Sequence, residues 1–176
     1  MPSGRQPETT GRRLYGWMLA LAGLVLVADQ LTKLWAVAAL SGGERVTVIP
    51  ELIQLRLLFN PGAAFSIGAG ATWVFTLTAA GAVAGILYTG RRLGSRAWTV
   101  VLGALLGGAF SHLLDRLFRP PGLARGHVVD FIDYGGLFVG NVADIALTVS
   151  CVILVLLTLR GIPLAGEDAA AGRPGA

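Results

Sequence analysis

The chain has 176 residues, of which 54% are hydrophobic and only 14% are charged. A soluble domain usually carries about 25% charged residues, so this composition, with a mean hydropathy of +0.68, excludes a soluble fold and a disordered chain. The net charge of +4 is spread thinly, which argues against nucleic-acid binding, and the single cysteine excludes an intramolecular disulfide and a cysteine-based zinc cluster.

Four apolar stretches approach the length of about 20 residues that a membrane-spanning helix needs. The predicted spans are Trp17–Leu40, Ala71–Tyr88, Ala97–Phe118 and Val142–Leu159. Residues 1–13 and 161–176 are polar and rich in Gly and Pro, so we predict disordered cytoplasmic tails on both sides of a membrane domain at 14–160. The predicted fold class is an all-α membrane protein of four transmembrane helices, with a small β-rich extracytoplasmic segment after the first helix.

The N-terminus also has features of a cleavable signal peptide. An arginine pair precedes an apolar run at 17–28, and an Ala-Val-Ala sequence follows at 36–38. The polar residues Asp29, Gln30 and Lys33 separate that run from the Ala-Val-Ala site, so we favour a span that is retained.

The distribution of arginine predicts the orientation of the chain. Eight of the 13 basic residues outside the first span lie in the two tails and the loop between spans two and three. Because cytoplasmic segments carry the excess of Lys and Arg, both termini are expected in the cytoplasm. Trp17 and Trp98 are then expected at the inner interface, and Trp35 and Trp73 at the outer one.

Two loops are expected on the outer side, at 41–66 and 119–140. The first contains two β-prone runs, Arg45–Ile49 and Leu52–Phe59, which predict a small sheet on the outer membrane face. The sequence Asn-Pro-Gly at 60–62 then predicts a tight turn.

Charged residues inside a bilayer each cost at least ~2.5–3.5 kcal/mol, so they indicate function by default. Asp29 and Lys33 are four residues apart, so they can pair on one helix face, either as a helix–helix staple or as part of a site. The adjacent Asp115 and Arg116 cannot pair along one face, so each is expected to serve another element or to reach the headgroups.

Four acids are predicted at a similar depth in the membrane. Asp29 and Asp115 lie near the outer ends of spans one and three, Asp130 follows in the outer loop, and Asp144 begins span four. Asp144 is near a helix N-terminus, where the dipole favours negative charge, and this position alone can account for it. Four acids at one depth nevertheless favour a common site.

Two other constellations are weaker. His112, Asp115 and His127 could suggest a metal site, but there is no HExxH motif and no cysteine partner, so no metal or other cofactor is predicted. Ser66 or Ser111 with His112 could suggest a serine hydrolase, but residues 111 and 112 are adjacent on a helix and do not face each other.

Five motifs carry a family resemblance. They are DQLTK at 29–33, NPGAAFS at 60–66, GGAFSHLLDR at 107–116, VVDF at 128–131 and NVAD at 141–144. In this order on four spans, the chain resembles the bacterial lipoprotein signal peptidases (signal peptidase II). The resemblance covers residues 29–144.

The resemblance implies an intramembrane aspartic endopeptidase of the bacterial inner membrane, with its active site toward the outer face. Such enzymes remove signal peptides from diacylglyceryl-modified prolipoproteins by cleaving just before the lipidated Cys. It implies that the catalytic residues are Asp130 and Asp144 and that the substrates are prolipoproteins in a phospholipid bilayer. The supporting or substrate-binding residues would be Asp29, Lys33, Asn60, Gly62, His112, Asp115, Arg116, Asn141 and Ala143. One chain supplies all five motifs, so we expect a functional monomer.

This chain departs from the family pattern in several places, one of them at Val139-Gly140, where the family often has aromatic residues before Asn141. Ser111 and His112 stand where the family has Gly-Asn, the segment between Asp130 and Asp144 is short, and Asp133 is a further acid close to the first of these. His retains hydrogen-bonding capacity but adds a titratable group. The short segment predicts a reduced lid.

Two paired carboxylates suit peptide hydrolysis, since one can act as base and one as acid while they share a proton. The first alternative is a small acid-lined transporter, because intramembrane acids also mark ion pathways. A transporter would require acids at successive depths along a pore. The second alternative is a non-catalytic assembly protein whose charges pair with partner helices.

Overall fold

The computed structural model describes residues 7–62 and 72–165. This part of the chain contains four helices that are long and apolar enough to cross a membrane. Their bounds are Pro7–Leu40 (α1), Thr72–Gly90 (α2), Arg96–Phe118 (α3) and Val142–Leu159 (α4). The predicted spans therefore match the helices to within two residues, apart from the start of α1.

Both predicted tails are partly ordered. Helix α1 begins at Pro7, ten residues before the predicted span. Proline suits a first helical turn because an N–H group there has no acceptor within the helix, so its absence costs nothing. The segment after α4 is held by two hydrogen bonds. The indole of Trp98 donates to the carbonyl of Ile162 (2.9 Å), and the backbone N–H of Gly94 donates to the carbonyl of Leu164 (2.9 Å). The disorder predicted for 7–13 and 161–165 is therefore wrong, while residues 1–6 and 166–176 lie outside the described part.

Helix α3 is the centre of the bundle and the most buried of the four helices. Its glycines allow close approach of two neighbours. A Cβ added at Gly107 would lie 2.6 Å from the carbonyl oxygen of Ala22 in α1, and one at Gly108 would lie 2.7 Å from Leu147 in α4. Small residues at helix contacts are the usual solution in membranes, so the paired glycines of the third motif set the positions of α1 and α4.

A four-stranded antiparallel sheet joins the bundle, in the order β1-β2-β3-β4. Its strands are Val46–Ile49, Ile53–Asn60, Val128–Tyr134 and Val139–Gly140. The first two confirm the predicted β-prone runs. The predicted loop at 119–140 connects α3 to α4 as expected, but it contains a hairpin of β3 and β4 that pairs with β2 and that the sequence did not predict.

The sheet is anchored on the C-terminal end of α1. Phe131 of β3 is buried with Ala36 and Leu40, and its ring meets that of Trp35 edge-on at 6.3 Å between centroids. This contact places β3 beside the polar ends of α1 and α3, and so places Asp130 there too.

Candidate active site

A buried ionic cluster lies where the C-terminal parts of α1 and α3 meet the start of α4. We define it as Asp29, Lys33, Ser111, Asp115 and Arg119. The ammonium nitrogen of Lys33 lies 2.6 Å from a carboxylate oxygen of Asp29 and 2.8 Å from one of Asp115. The guanidinium of Arg119 lies 2.6 Å from Asp115. Asp29 and Lys33 have no exposed surface, so the cluster balances two carboxylates with two cations inside the protein.

The two carboxylates of this cluster also hold two backbone segments. Asp29 Oδ1 accepts a hydrogen bond from the N–H of Ala143 (2.8 Å), and Asp115 Oδ2 accepts one from the N–H of Val129 (3.3 Å). Ala143 and Val129 are the residues immediately before Asp144 and Asp130. A single ammonium group therefore links the two attachments that position these acids.

Three residues in or beside the ionic cluster were not predicted as site residues: Ser111, Gln30 and Arg119. The hydroxyl of Ser111 donates to Asp29 (2.6 Å), and the amide of Gln30 donates to Ser111 Oγ (2.8 Å) and to Asp115 (3.0 Å). Gln30 was visible in the first motif, and the spacing of Arg119, four residues after Asp115, was a signal for pairing. Nothing local indicated the contact of Ser111, whose partner is 82 residues away.

The second group of polar residues is the dyad site, which we define as Asp130, Asp144, Asn141, Asn60 and His112. Asp130 lies on β3 and is buried. Its Oδ2 accepts from the side-chain amide of Asn60 (2.8 Å) and its Oδ1 from that of Asn141 (2.7 Å). Both oxygens thus face neutral amide donors.

Asp144 lies in the first turn of α4. It forms a capping box with Asn141: its N–H donates to Asn141 Oδ1 (3.0 Å), and its own Oδ2 accepts from the N–H of Asn141 (2.9 Å). Its Oδ1 lies 3.3 Å from Nε2 of His112, and about a third of the side chain is exposed. Asn141 therefore donates to both carboxylates, to that of Asp130 through its side-chain amide and to that of Asp144 through its backbone N–H.

The environment of Asp130 changes its protonation. Burial raises the pKa of Asp130 to about 6, and the nearby charge of Asp144 also raises it, while the hydrogen bonds from Asn60 and Asn141 lower it. Burial and a like charge both disfavour the ionised form of a carboxyl group. Asp130 therefore retains its proton closer to neutral pH than an ordinary aspartate does.

Arg116 and Gly62 hold Asn60 in place. The guanidinium of Arg116 donates to the carbonyls of Asn60 (3.1 Å) and Gly126 (2.9 Å), and the N–H of Gly62 donates to Asn60 Oδ1 (2.8 Å). Gly62 has a φ of +88°, and a Cβ there would lie 2.8 Å from Arg116. This confirms the predicted turn at 60–62; the rest of the NPGAAFS motif, with Ser66, lies outside the described residues.

Asp133 is separated from the dyad site by its own partners. Its carboxylate lies 2.5 Å from Arg56 Nε and accepts from the N–H of Gly136 (2.8 Å), and the hydrogen bond from Arg56 holds the pKa of Asp133 below its usual value. Within residues 7–62 and 72–165, no group of three His, Cys, Asp or Glu side chains is arranged to hold a metal ion.

Comparisons with known proteins agree with this geometry. The model of the signal peptidase (SPase) II family matches residues 21–160. The lipoprotein signal peptidase of Rhodococcus jostii is 48% identical over 164 residues, covering 92% of this chain and 82% of that protein. That of Mycobacterium avium is 45% identical over 155 residues, covering 88% and 85%.

A solved structure gives the same result for the fold. A bacterial membrane enzyme determined by the in meso method at 2.3 Å superposes with a TM-score of 0.68 and 25% identity, covering 92% of this chain and 94% of that one. None of these findings supports the transporter alternative. The chain is a bacterial multi-pass membrane protein, and it belongs to the signal peptidase II family of intramembrane aspartic peptidases.

Proposed function

We propose that this protein removes signal peptides from diacylglyceryl-modified prolipoproteins, cleaving just before the lipidated Cys, and that Asp130 and Asp144 activate the attacking water. One observation carries the proposal: Asn141 donates to Asp130 through its side-chain amide and to Asp144 through its backbone N–H, and burial raises the pKa of Asp130 to about 6. The names of the relatives, all lipoprotein signal peptidases, support the substrate class.

The unequal environments of the two acids assign their roles. Asp144 is partly exposed and lies at a helix N-terminus, where the dipole favours its negative charge, so it acts as the base. Asp130 is buried and retains the proton, so it acts as the acid. Asp144 takes a proton from water as the water oxygen attacks the peptide carbonyl, and Asp130 gives its proton to the carbonyl oxygen.

Collapse of the tetrahedral intermediate restores the starting state. The C–N bond breaks, the proton on Asp144 passes to the leaving nitrogen, and a hydroxyl proton of the intermediate returns to Asp130. One water is consumed, a carboxyl and an amine are formed, and the pair again shares one proton.

The other predicted residues act as supports in this proposal. Asn60 and Asn141 orient Asp130, while Arg116 and Gly62 hold Asn60. The ionic cluster fixes the two acids through the peptide groups that precede them. His112 touches Asp144 and lies 3.4 Å from Asn141, so it takes the place of the family Asn at the edge of the site.

We extend the proposal to topology and assembly. The excess of arginine in the tails and the α2–α3 loop supports cytoplasmic termini and, with them, a dyad site at the outer face of the inner membrane. Both groups of polar residues come from one chain, which supports a monomer. A signal peptide is itself an apolar helix, so it reaches the site laterally from the bilayer.

The test is cleavage of a synthetic prolipoprotein peptide by the purified protein in detergent. We expect release of the signal peptide just before the Cys when that Cys carries diacylglycerol, and little or no release from the unlipidated peptide. The Asp144→Asn protein serves as the blank. Equal cleavage of both peptides would contradict the substrate assignment, and cleavage by the blank would contradict the dyad.

A further inference from the structure

A groove of about 710 Å³ lies between the N-terminal parts of α1 and α3. The residues of α1 that line it start at Thr10 and end at Leu21, whereas Asp29 of the ionic cluster is eight residues further along, or about 12 Å at 1.5 Å per residue. The groove therefore has no part in the dyad site. Its lining residues are Thr10, Arg13, Leu14, Trp17, Leu21, Arg96, Thr99 and Val100.

The groove is polar at one end and apolar along its length. The two helices run parallel, since a Cβ added at Gly11 would lie 3.3 Å from the carbonyl oxygen of Leu93 and one at Gly103 would lie 2.9 Å from that of Met18. Arg13 and Arg96 are therefore at a similar height. Beyond them, apolar side chains continue the groove toward the middle of the bundle.

Within the described part of the chain, Arg13 and Arg96 have no acidic partner. Both are exposed, and among the side chains that the structure describes neither forms an ion pair with a carboxylate. The backbone at the start of α3 adds donors, because Ser95 at the N-cap makes no side-chain hydrogen bond to the first turn. Guanidinium groups and free helix N–H groups both favour phosphate oxygens.

The apolar part of the groove is nearly as long as one leaflet of a bilayer. Arg13 and Leu21 are eight residues apart, or about 12 Å along a helix, and half of the hydrocarbon core is about 15 Å. Trp17 is 60% exposed beside the groove, where an indole suits the membrane–water interface. A charged end followed by an apolar stretch that covers most of one leaflet matches the shape of a phospholipid.

We propose that this groove is a binding site for one anionic glycerophospholipid. Arg13 and Arg96 hold the phosphate, and an acyl chain lies along Leu14, Leu21 and Val100. Two cations without a carboxylate favour a lipid with net negative charge over a zwitterionic one. The site does not depend on peptidase activity, so it stands or falls separately from the proposed function.

The experiment compares lipids and two matched double variants by thermal unfolding of the full chain in nanodiscs. Arg13→Gln/Arg96→Gln removes the two groove cations. Arg91→Gln/Arg92→Gln removes the same charge from the exposed turn after α2, outside the groove, where Arg92 contacts Tyr88. We expect the Tm in phosphatidylglycerol to exceed the Tm in phosphatidylcholine for the wild type and for Arg91→Gln/Arg92→Gln. This difference should vanish in Arg13→Gln/Arg96→Gln.

A second measurement does not depend on the arginine variants. Brominated phosphatidylglycerol should quench tryptophan fluorescence more than brominated phosphatidylcholine, and Trp17→Phe should remove that difference. Equal effects of the two lipids, or equal losses in the two double variants, would overturn the proposal. If inorganic phosphate alone in detergent reproduces the whole rise in Tm, the groove binds a free anion and the lipid assignment is wrong.

Discussion

Two pairs of aspartates lie close together in this protein, and the residue that bridges each pair gives it a different chemistry. Asp29 and Asp115 share the ammonium group of Lys33. Asp130 and Asp144 share Asn141, a neutral amide. A cation between two carboxylates stabilises both negative charges, whereas an amide leaves their repulsion in place. The first pair is thus suited to structure and the second to proton transfer.

The two pairs are also mechanically connected. Asp29 holds the peptide N–H before Asp144, and Asp115 holds the one before Asp130. In the proposed mechanism, the charge-balanced pair therefore sets the position of Asp130 and Asp144 without taking part in the chemistry. The predictions below separate these roles, from the largest expected effect to the smallest.

The largest effect is expected at the reactive pair. Asp130→Asn or Asp144→Asn should each remove cleavage of the lipid-modified peptide, because one carboxylate cannot act as base and acid in one step. General acid–base catalysis contributes about 10²–10⁴-fold per group, and effects within such a unit are non-additive. Measured turnover of the double variant should therefore be little below that of either single one.

Asp133→Asn is the matched control for this prediction, since it changes the same residue type on the same strand. Asp133 is paired with Arg56 rather than with the dyad site, so its variant should retain turnover. A folded Asp144→Asn enzyme with near wild-type activity, or an inactive Asp133→Asn enzyme beside an active Asp130→Asn one, is incompatible with the assignment.

The next effect concerns the shared cation. Lys33→Met should lower the free energy of unfolding by about 3–5 kcal/mol, because it leaves Asp29 buried without its cation. Thermal unfolding in detergent measures this loss. Arg56→Met, which breaks the partly exposed pair with Asp133, should cost far less. Similar losses in the two variants would show that the ionic cluster has no special structural role.

Asp29→Asn should have a smaller effect than removal of Lys33. Lys33 keeps its contact with Asp115 at 2.8 Å, but the cluster gains a net positive charge and the acceptor for Ala143 weakens. We expect reduced turnover in a folded enzyme that is still active, measured as kcat and KM on the lipid-modified peptide. Complete loss of activity with a normal unfolding temperature would instead place Asp29 in the chemistry.

The smallest effect is expected at His112. His112→Asn restores the family residue, so the maximum rate should be retained. The positive charge that His112 can carry lowers the pKa of Asp130, so the variant should raise it. In the pH profile of kcat/KM, the descending limb reflects loss of the shared proton at pH 6 or above. This limb should therefore move to higher pH in the variant.

Two results would contradict this role of His112. One is a complete loss of activity in His112→Asn at every pH. The other is full inhibition of the wild type by a metal chelator, which would favour a metal role for His112 and His127.

The sequence predicted the membrane spans because an apolar run is a local property of the chain. The spans Ala97–Phe118 and Val142–Leu159 agree with α3 and α4 to within one residue. The early start of α1 was missed because residues 7–13 are polar, whereas in the structure Gly11 packs against the backbone of Leu93. That packing depends on residues of distant segments.

The candidate site was predicted in part, and mainly through the motifs. The Asp29–Lys33 pair followed from spacing alone, and the separate partners of Asp115 and Arg116 followed from their adjacency. The contact of Ser111 with Asp29 and the pairing of β3 with β2 join residues about 70–80 positions apart. No local pattern encodes such contacts, so Ser111 was considered as a weak hydrolase candidate and a departure from the family, and β3 was treated as part of a loop.

The central claim is that the proton resides on the amide-bridged pair and not on the cation-bridged one. Infrared titration of the purified protein detects the carbonyl stretch of a protonated carboxyl group directly. We predict a band that is present at pH 5, titrates near pH 6, disappears in Asp130→Asn and remains in Asp29→Asn. A band that survives in Asp130→Asn and is lost in Asp29→Asn would contradict the account.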